Sequence, residues 1–248
     1  MKLAPFVRFL NQQLKIHAFN DDSRNGLQVN CGKEITKIAF AVDACLESFK
    51  KAAKLHCDLI IVHHGLLWKH QKFKDLTLKR ISFLKKNNLS LYGVHLPLDA
   101  HPLYGNNAEL CRLLDVKAKK PFGIYHGKPV GFRGTVGRQS LTKFVSLVHN
   151  KLNTKPFILP FGSRQISKVG IVSGGGRAAL EEATKLKLDC FLTGEITHSD
   201  YHRAKESSVN VVVAGHYKTE TLGVKALARL LHQKFNIQTV FIDSPTGM

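Results

Sequence analysis

The stretch 59-LIIVHHGLLW-68 decides how the rest of the chain is read. Its four consecutive large aliphatic residues, with no polar residue alternating between them, describe a strand covered on both faces, as in the centre of a parallel sheet. The run then stops in two histidines and a glycine. Working outward, β-branched strands alternate with amphipathic helices, which is the pattern of an α/β protein. Helix is expected over 3–16 and 45–56, strand over 35–43, 58–64 and 89–95, and a further helix beginning at Asn106 or Asn107 as its cap. Residues 121–137, PFGIYHGKPVGFRGTVG, are rich in Gly and Pro and read as a connecting region with antiparallel strands. Alternation resumes with helices over 141–152, 177–187, 198–207 and 221–235 and strands over 168–173, 189–195, 209–215 and 238–243. The expected fold is therefore two similar α/β halves with largely parallel sheets, residues 1–120 and 166–248. A bridging segment, 121–165, joins them, and the ligand site is expected at strand C-terminal ends between the halves.

Composition narrows the class. Five scattered cysteines without a C-x-x-C pair read as reduced residues of a cytosolic protein. The N-terminal apolar run is interrupted at Arg8 and Asn11, and no segment has the uninterrupted apolar length of a membrane span, so a soluble, cytoplasmic protein is expected. The 37 Lys+Arg against 18 Asp+Glu give a formal charge of +19, a field that attracts phosphates. Lysine written on every solvated face accounts for the charge equally well. The densest basic run is 69–86, in which Leu76, Ile81, Phe83 and Leu84 suit the buried stripe of a helix. No helix-turn-helix, zinc-finger or RNA-binding signature accompanies the charge, so nucleic acid as a partner has no motif behind it.

Four strands run into a histidine or acidic residue at their C-terminal ends: His63 and His64, then His95 with Asp99, then Glu195 with His198, then His216 with Glu220. Open α/β sheets bind ligands there. Taken singly, each has an ordinary explanation; His216 and Glu220, at i and i+4, also make a plain helix ion pair. Pro97 keeps 95-HLPLD-99 out of a helix interior, so His95 and Asp99 meet through a turn or not at all. Adjacent histidines on a regular strand point to opposite sides, an objection that weakens at a strand end or across two ions. Together the four endings supply imidazole and carboxylate without thiolate, the ligand set of zinc, iron, manganese or nickel, in a number that suits two ions. Gly174, Gly175 and Gly176 join a strand to a helix, either as a phosphate cradle or as a tight turn.

The segments RNGLQV, IIVHHGLLW, GVHLPLDAHPLYGNNAEL, VSGGG, FLTGE and AGHYKTETLGVKAL together resemble the NGG-interacting-factor-three-like family, whose bacterial members are labelled GTP cyclohydrolase 1 type 2 homologues. The resemblance runs from about residue 21 to residue 244. It implies a dinuclear centre with His63, His64, Asp99, His216 and Glu220 as metal ligands, His63 and His64 each facing a different ion. It places His95 beside the metals, as a ligand or as a group supporting the ligands, and Glu195 and His198 in the same cleft; at such a centre His95 or Glu195 is a candidate to shuttle protons. It also implies a homohexamer. The family label implies a small-molecule substrate, GTP, whose imidazole ring opens at C8 with release of formate. Another metal-dependent hydrolysis, or a metal-binding regulatory protein without turnover, is served by the same ligands.

Overall fold

The computed structural model describes residues 1–32, 34–70 and 74–248. Two compact units form, Met1–Leu98 with Gly223–Ser244, and Asp99–Leu222 with Pro245–Met248.

The first unit is organised by the aliphatic run. Leu59, Ile60, Ile61 and Val62 are each 0% exposed, because the strand that they form has neighbours on both edges and layers on both faces. The strands of this sheet are β1 (Gly26–Val29), β2 (Lys37–Asp43), β3 (Leu59–His64), β4 (Ser90–Gly93) and β11 (Gln238–Phe241), in the order β1-β4-β3-β2-β11. β2, β3 and β4 are parallel and are linked by helices α2 (Leu46–Lys54) and α3 (Lys74–Lys86), while β1 closes one edge antiparallel. Full burial of one such aliphatic side chain stabilises the fold by roughly 1.5–3 kcal/mol. α1 (Leu3–Gln13) buries Leu3, Phe6 and Leu10.

α3 carries much of the basic run, and Ile81, Phe83 and Leu84 face the core as expected, the first two partly buried against it. Thr77 and Leu84 are its buried residues, whereas Leu76 is 40% exposed. Its charges complement the helix dipole, with Asp75 in the first turn and Lys85 and Lys86 in the last. Gln71, Lys72 and Phe73 of the same run lie outside the described residues.

The single turn α4 (Leu96–Asp99) ends the first unit's stretch of chain at Leu98, and the second unit continues from Asp99 with α5 (Asn106–Leu113), β5 (Lys117–Tyr125), β6 (Lys128–Ser140), α6 (Leu141–Leu152) and β7 (Phe157–Pro160). Then come β8 (Gln165–Val172), α7 (Leu180–Lys185), β9 (Cys190–Thr193), α8 (His198–Glu206), β10 (Asn210–Val213) and α9 (His216–Phe235). Its sheet has the order β5-β6-β8-β9-β10-β7, in which β8, β9 and β10 are parallel and the flanking pairs antiparallel. Each unit thus holds three parallel strands joined by helices, the similarity expected of the two halves.

Residues 121–165 form the antiparallel hairpin β5–β6, α6 and β7 inside this unit, and do not stand apart as a bridge. β11, expected in the C-terminal half, pairs parallel with β2 in the first unit, after α9 has carried the chain across the boundary at Leu222 and Gly223. Among the described residues no helix is long and apolar enough to cross a membrane.

Candidate metal centre

Three imidazoles lie at strand ends of the first unit. β3 ends in His63 and His64, and the chain leaves β4 through Val94 into His95. At the strand's end the His63 and His64 rings approach to 4.7 Å between centroids, and the His95 ring lies 5.1 Å from the first and 5.6 Å from the second. One ligand nitrogen from each of the three falls within 4.8 Å of the other two.

All three rings are oriented in the same way. Nδ1 of His63 lies 3.0 Å from the Val94 carbonyl oxygen. A carbonyl only accepts, so Nδ1–H donates and Nε2 carries the lone pair. Nδ1 of His64 lies 2.9 Å from Asp43 Oδ1, and Nδ1 of His95 lies 2.9 Å from Asp21 Oδ1. Ionised carboxylates also only accept, so these rings adopt the same tautomer. It is the one a ligating histidine takes when an oxygen acceptor holds its other nitrogen.

Sheet register and loop turns build these pairs. Asp43 and His64 are partners across β2 and β3, so their side chains share a face. Asp21, in the loop before β1, accepts from the backbone N–H groups of Ser23 and Leu96 at 3.0 Å each and from the Asn25 amide at 2.9 Å. Burial alone would raise the Asp21 carboxyl, but the hydrogen bond and charge of His95, then Asn25 and Ser23, hold it at about 2. Asn25 Oδ1 accepts from the His95 backbone N–H at 2.8 Å, which fixes the histidine from a second side. The Trp68 ring stands edge-on to His95 at 5.1 Å, its Nε1–H donating to the Gly65 carbonyl at 2.8 Å. Gly65 and Gly93 leave room for the Gln28 amide, whose oxygen accepts from Leu66 N–H at 2.7 Å and fixes the turn after the histidines.

The second unit, by itself, carries mainly carboxylates. Asp99 ends the single turn α4, which tolerates Pro97 because its N–H would have no helical partner there. Asp99 is 6% exposed, and its Oδ1 accepts from the Asn106 amide at 2.9 Å and the Ser173 hydroxyl at 3.0 Å. Asn107 accepts from Ser173 N–H at 2.7 Å and donates to the Val130 carbonyl at 2.8 Å. Neither asparagine caps α5. Gly105 takes the cap position, and both amides are buried among these polar contacts.

His216 opens α9, and one turn on Glu220 shares its face, as the i,i+4 spacing predicts. Nδ1 of His216 lies 3.1 Å from Glu195 Oε2, and Nε2 lies 3.1 Å from Glu220 Oε2. Burial pulls the His216 pKa down, but the hydrogen bonds and charges of Glu220 and then Glu195 outweigh it and raise the value to about 9. The glycines serve this arrangement as a tight turn. Gly174 has φ +57, its N–H donates to Thr219 Oγ1 at 3.0 Å, and a methyl group there would collide with the Glu220 carboxylate. His198 is exposed on α8, and among the described residues it joins no cluster of three ligating side chains.

Of the groups that support these ligands, the motif reading missed Asp21, Asp43, Asn106, Asn107 and Ser173. Asp43 was detectable, because the strand 37-KIAFAVD-43 ends in a carboxylate just as the four others end in histidine or acidic residues.

Strands that end in imidazoles or in buried carboxylates give this α/β protein groups of side chains that could hold a metal ion. The chain belongs to the Duf34/NIF3 (NGG1p interacting factor 3) family, whose model matches residues 1–247. It is 45% identical over 245 residues to a Pyrococcus horikoshii protein named GTP cyclohydrolase 1 type 2 homolog, covering 98% of each chain. An Archaeoglobus fulgidus protein of the same name is 42% identical over 249 residues, covering 100% of each. Among solved structures, the fold matches TTHA1606 from Thermus thermophilus with TM-score 0.92 and 37% identity over 100% of both chains. It matches ybgI, a structural genomics protein of unknown function, with TM-score 0.94 and 31% identity, again over 100% of both.

Proposed function

We propose that the chain is a metal-dependent hydrolase in which His63, His64, Asp99, His216 and Glu220 hold two divalent cations, with His95 and Glu195 moving protons beside them. The observation that carries this reading is that the proposed ligands His63 and His64, and His95 beside them, have Nδ1 atoms committed to oxygen acceptors and one nitrogen each within 4.8 Å of the others. The donor set fits the proposed cations: neutral imidazoles supply nitrogen lone pairs, buried carboxylates offset cationic charge, and the absence of thiolate among these ligands suits zinc, iron, manganese or nickel.

Bound there, a pair of divalent cations supplies Lewis acidity toward the substrate and a nucleophilic water at neutral pH. The chain's own residues do the rest. Asp43 and Asp21 hold His64 and His95 in one tautomer and one orientation. His95 accepts a proton at Nε2, and the Asp21 carboxylate stabilises the imidazolium that results. Glu195, bonded to His216 through one oxygen, exchanges protons on that side.

The relatives' name supports GTP as the substrate. The reaction adds water at the purine C8, opens the imidazole ring and releases formate after a second addition of water. The cationic chain favours a triphosphate. Family resemblance supports assembly as a homohexamer, which light scattering tests directly; a stable monomer at both low and high salt contradicts it.

The test of the activity is formate release from GTP by metal-loaded protein. Release should stop on chelation, return with added metal and be absent from Glu220→Ala. Retention of metal with no turnover of nucleotides or generic esters contradicts the enzyme and supports a metal-binding regulatory protein.

A further inference from the structure

We propose that a cavity of about 810 Å³ in the second unit receives a planar nitrogen heterocycle of purine size, with Glu195 reading paired N–H groups on its edge. The proposal rests on the hydrolase reading and names the part of the substrate that the second unit holds.

The cavity opens beyond the C-terminal ends of β9 and β10 and is lined by Phe157, Glu195, His198, Tyr201, His202 and Tyr217, among others. Ligand crevices of α/β sheets lie at this end of the strands, and the volume falls in the usual range for small-molecule sites, roughly 300–1,000 Å³. Its wall is unusually rich in rings. Tyr201, His202 and His198 follow one another edge to face at 5.2 and 6.4 Å, and Phe161, which is not part of the wall, packs edge to face on Tyr201 at 5.1 Å. Tyr201 is 40% exposed and Phe157 59% exposed, so large ring surfaces are presented to a concavity where a flat heterocycle stacks.

The helix bearing three of these rings is fixed at its start. Thr197 and Asp200 form a capping box, with Thr197 N–H donating to Asp200 Oδ2 at 2.8 Å. Glu195 adds an acceptor-only group to a wall of rings. One of its oxygens faces His216, and a carboxylate has lone pairs for two further parallel N–H donors. Paired donors of that kind occur on the guanine edge and not on the adenine edge. Lys155 and Lys218 also line the cavity and accommodate an anionic substituent on the ring.

The experiment titrates the full, metal-loaded chain with guanosine, which has no phosphate to bind the metals. Binding is read by calorimetry and by magnetisation transfer to the nucleoside. Guanosine should bind, GTP should displace it, and adenosine should bind more weakly. Tyr201→Ala should lower guanosine affinity about tenfold with metal content unchanged. No guanosine binding, or equal binding by the native chain, Tyr201→Ala and Phe157→Ala, overturns the proposal. So does a Tyr201→Ala protein whose assembly mass changes while its guanosine affinity does not, since the rings then form a contact between copies. Guanosine bound without any GTP turnover sinks the hydrolase reading alone. Turnover with an unchanged KM in Tyr201→Ala sinks the cavity alone.

Discussion

Asp43 Oδ1 lies 2.9 Å from Nδ1 of His64, its register partner across β2 and β3. The carboxylate is 34% exposed and the imidazole 20%, so removing the anion leaves no buried charge behind. Asp43→Asn should keep the fold and weaken metal binding by about 10- to 100-fold, the usual cost of losing such an orienting partner. Competition with a chromophoric chelator measures it, and an unchanged affinity means that Asp43 plays no part in ligation.

Gly174→Ala tests the close approach behind Glu220. An alanine at φ +57 costs ~1–2 kcal/mol in backbone strain alone, and its methyl would also meet the Glu220 carboxylate. The variant should melt several degrees lower and retain less metal. A variant that matches the native chain in both respects would show that Glu220 moves without consequence.

pH acts on the His216 group with opposite signs on two quantities. The folded pKa, about 9, is raised above the ordinary value of 6.5. The stability it gives the metal-stripped protein is therefore fully present below about pH 6.5 and lost as pH rises through about 9. Metal must displace the same proton, so affinity should rise with pH over that window and flatten above it. Calorimetry in buffers of different ionisation enthalpy counts the proton released. No release at pH 7.5 contradicts a protonated His216.

Asp21 makes the complementary prediction in acid. Its carboxyl, normally near 3.8, is held at about 2 in the fold, so its contribution is present above about pH 4 and lost as pH falls towards 2. Asp21→Asn should flatten the acid limb of the stability curve, as read from denaturant midpoints between pH 2 and 5.

Much of this architecture was legible because parallel strands buried on both faces leave a continuous aliphatic signature, as in 59-LIIV-62, and because ligand types cluster where such strands stop. What escaped was non-local. β11 reads as a strand, but nothing in QTVF says that its partner is β2, some two hundred residues earlier. Asn106 and Asn107 look like caps, since the amides that serve a buried carboxylate are chemically the same as those that cap a helix. In the first turn of α3, Thr77 is buried and Leu76 is not, although Ile81, Phe83 and Leu84 face the core, because the end of a short basic helix is set by what it packs on. Asp21 gave no signal at all, as its role depends on a loop brought to His95 by the fold.

The most direct test is metal stoichiometry by elemental analysis of the purified chain, after reconstitution with Zn²⁺, Mn²⁺ and Fe²⁺ in turn. About two ions per chain are expected, the complement of a two-metal hydrolytic site, falling in His63→Ala and Glu220→Ala proteins that remain folded. One ion or none in the native chain, or full occupancy in both variants, would contradict a dinuclear centre built from these ligands.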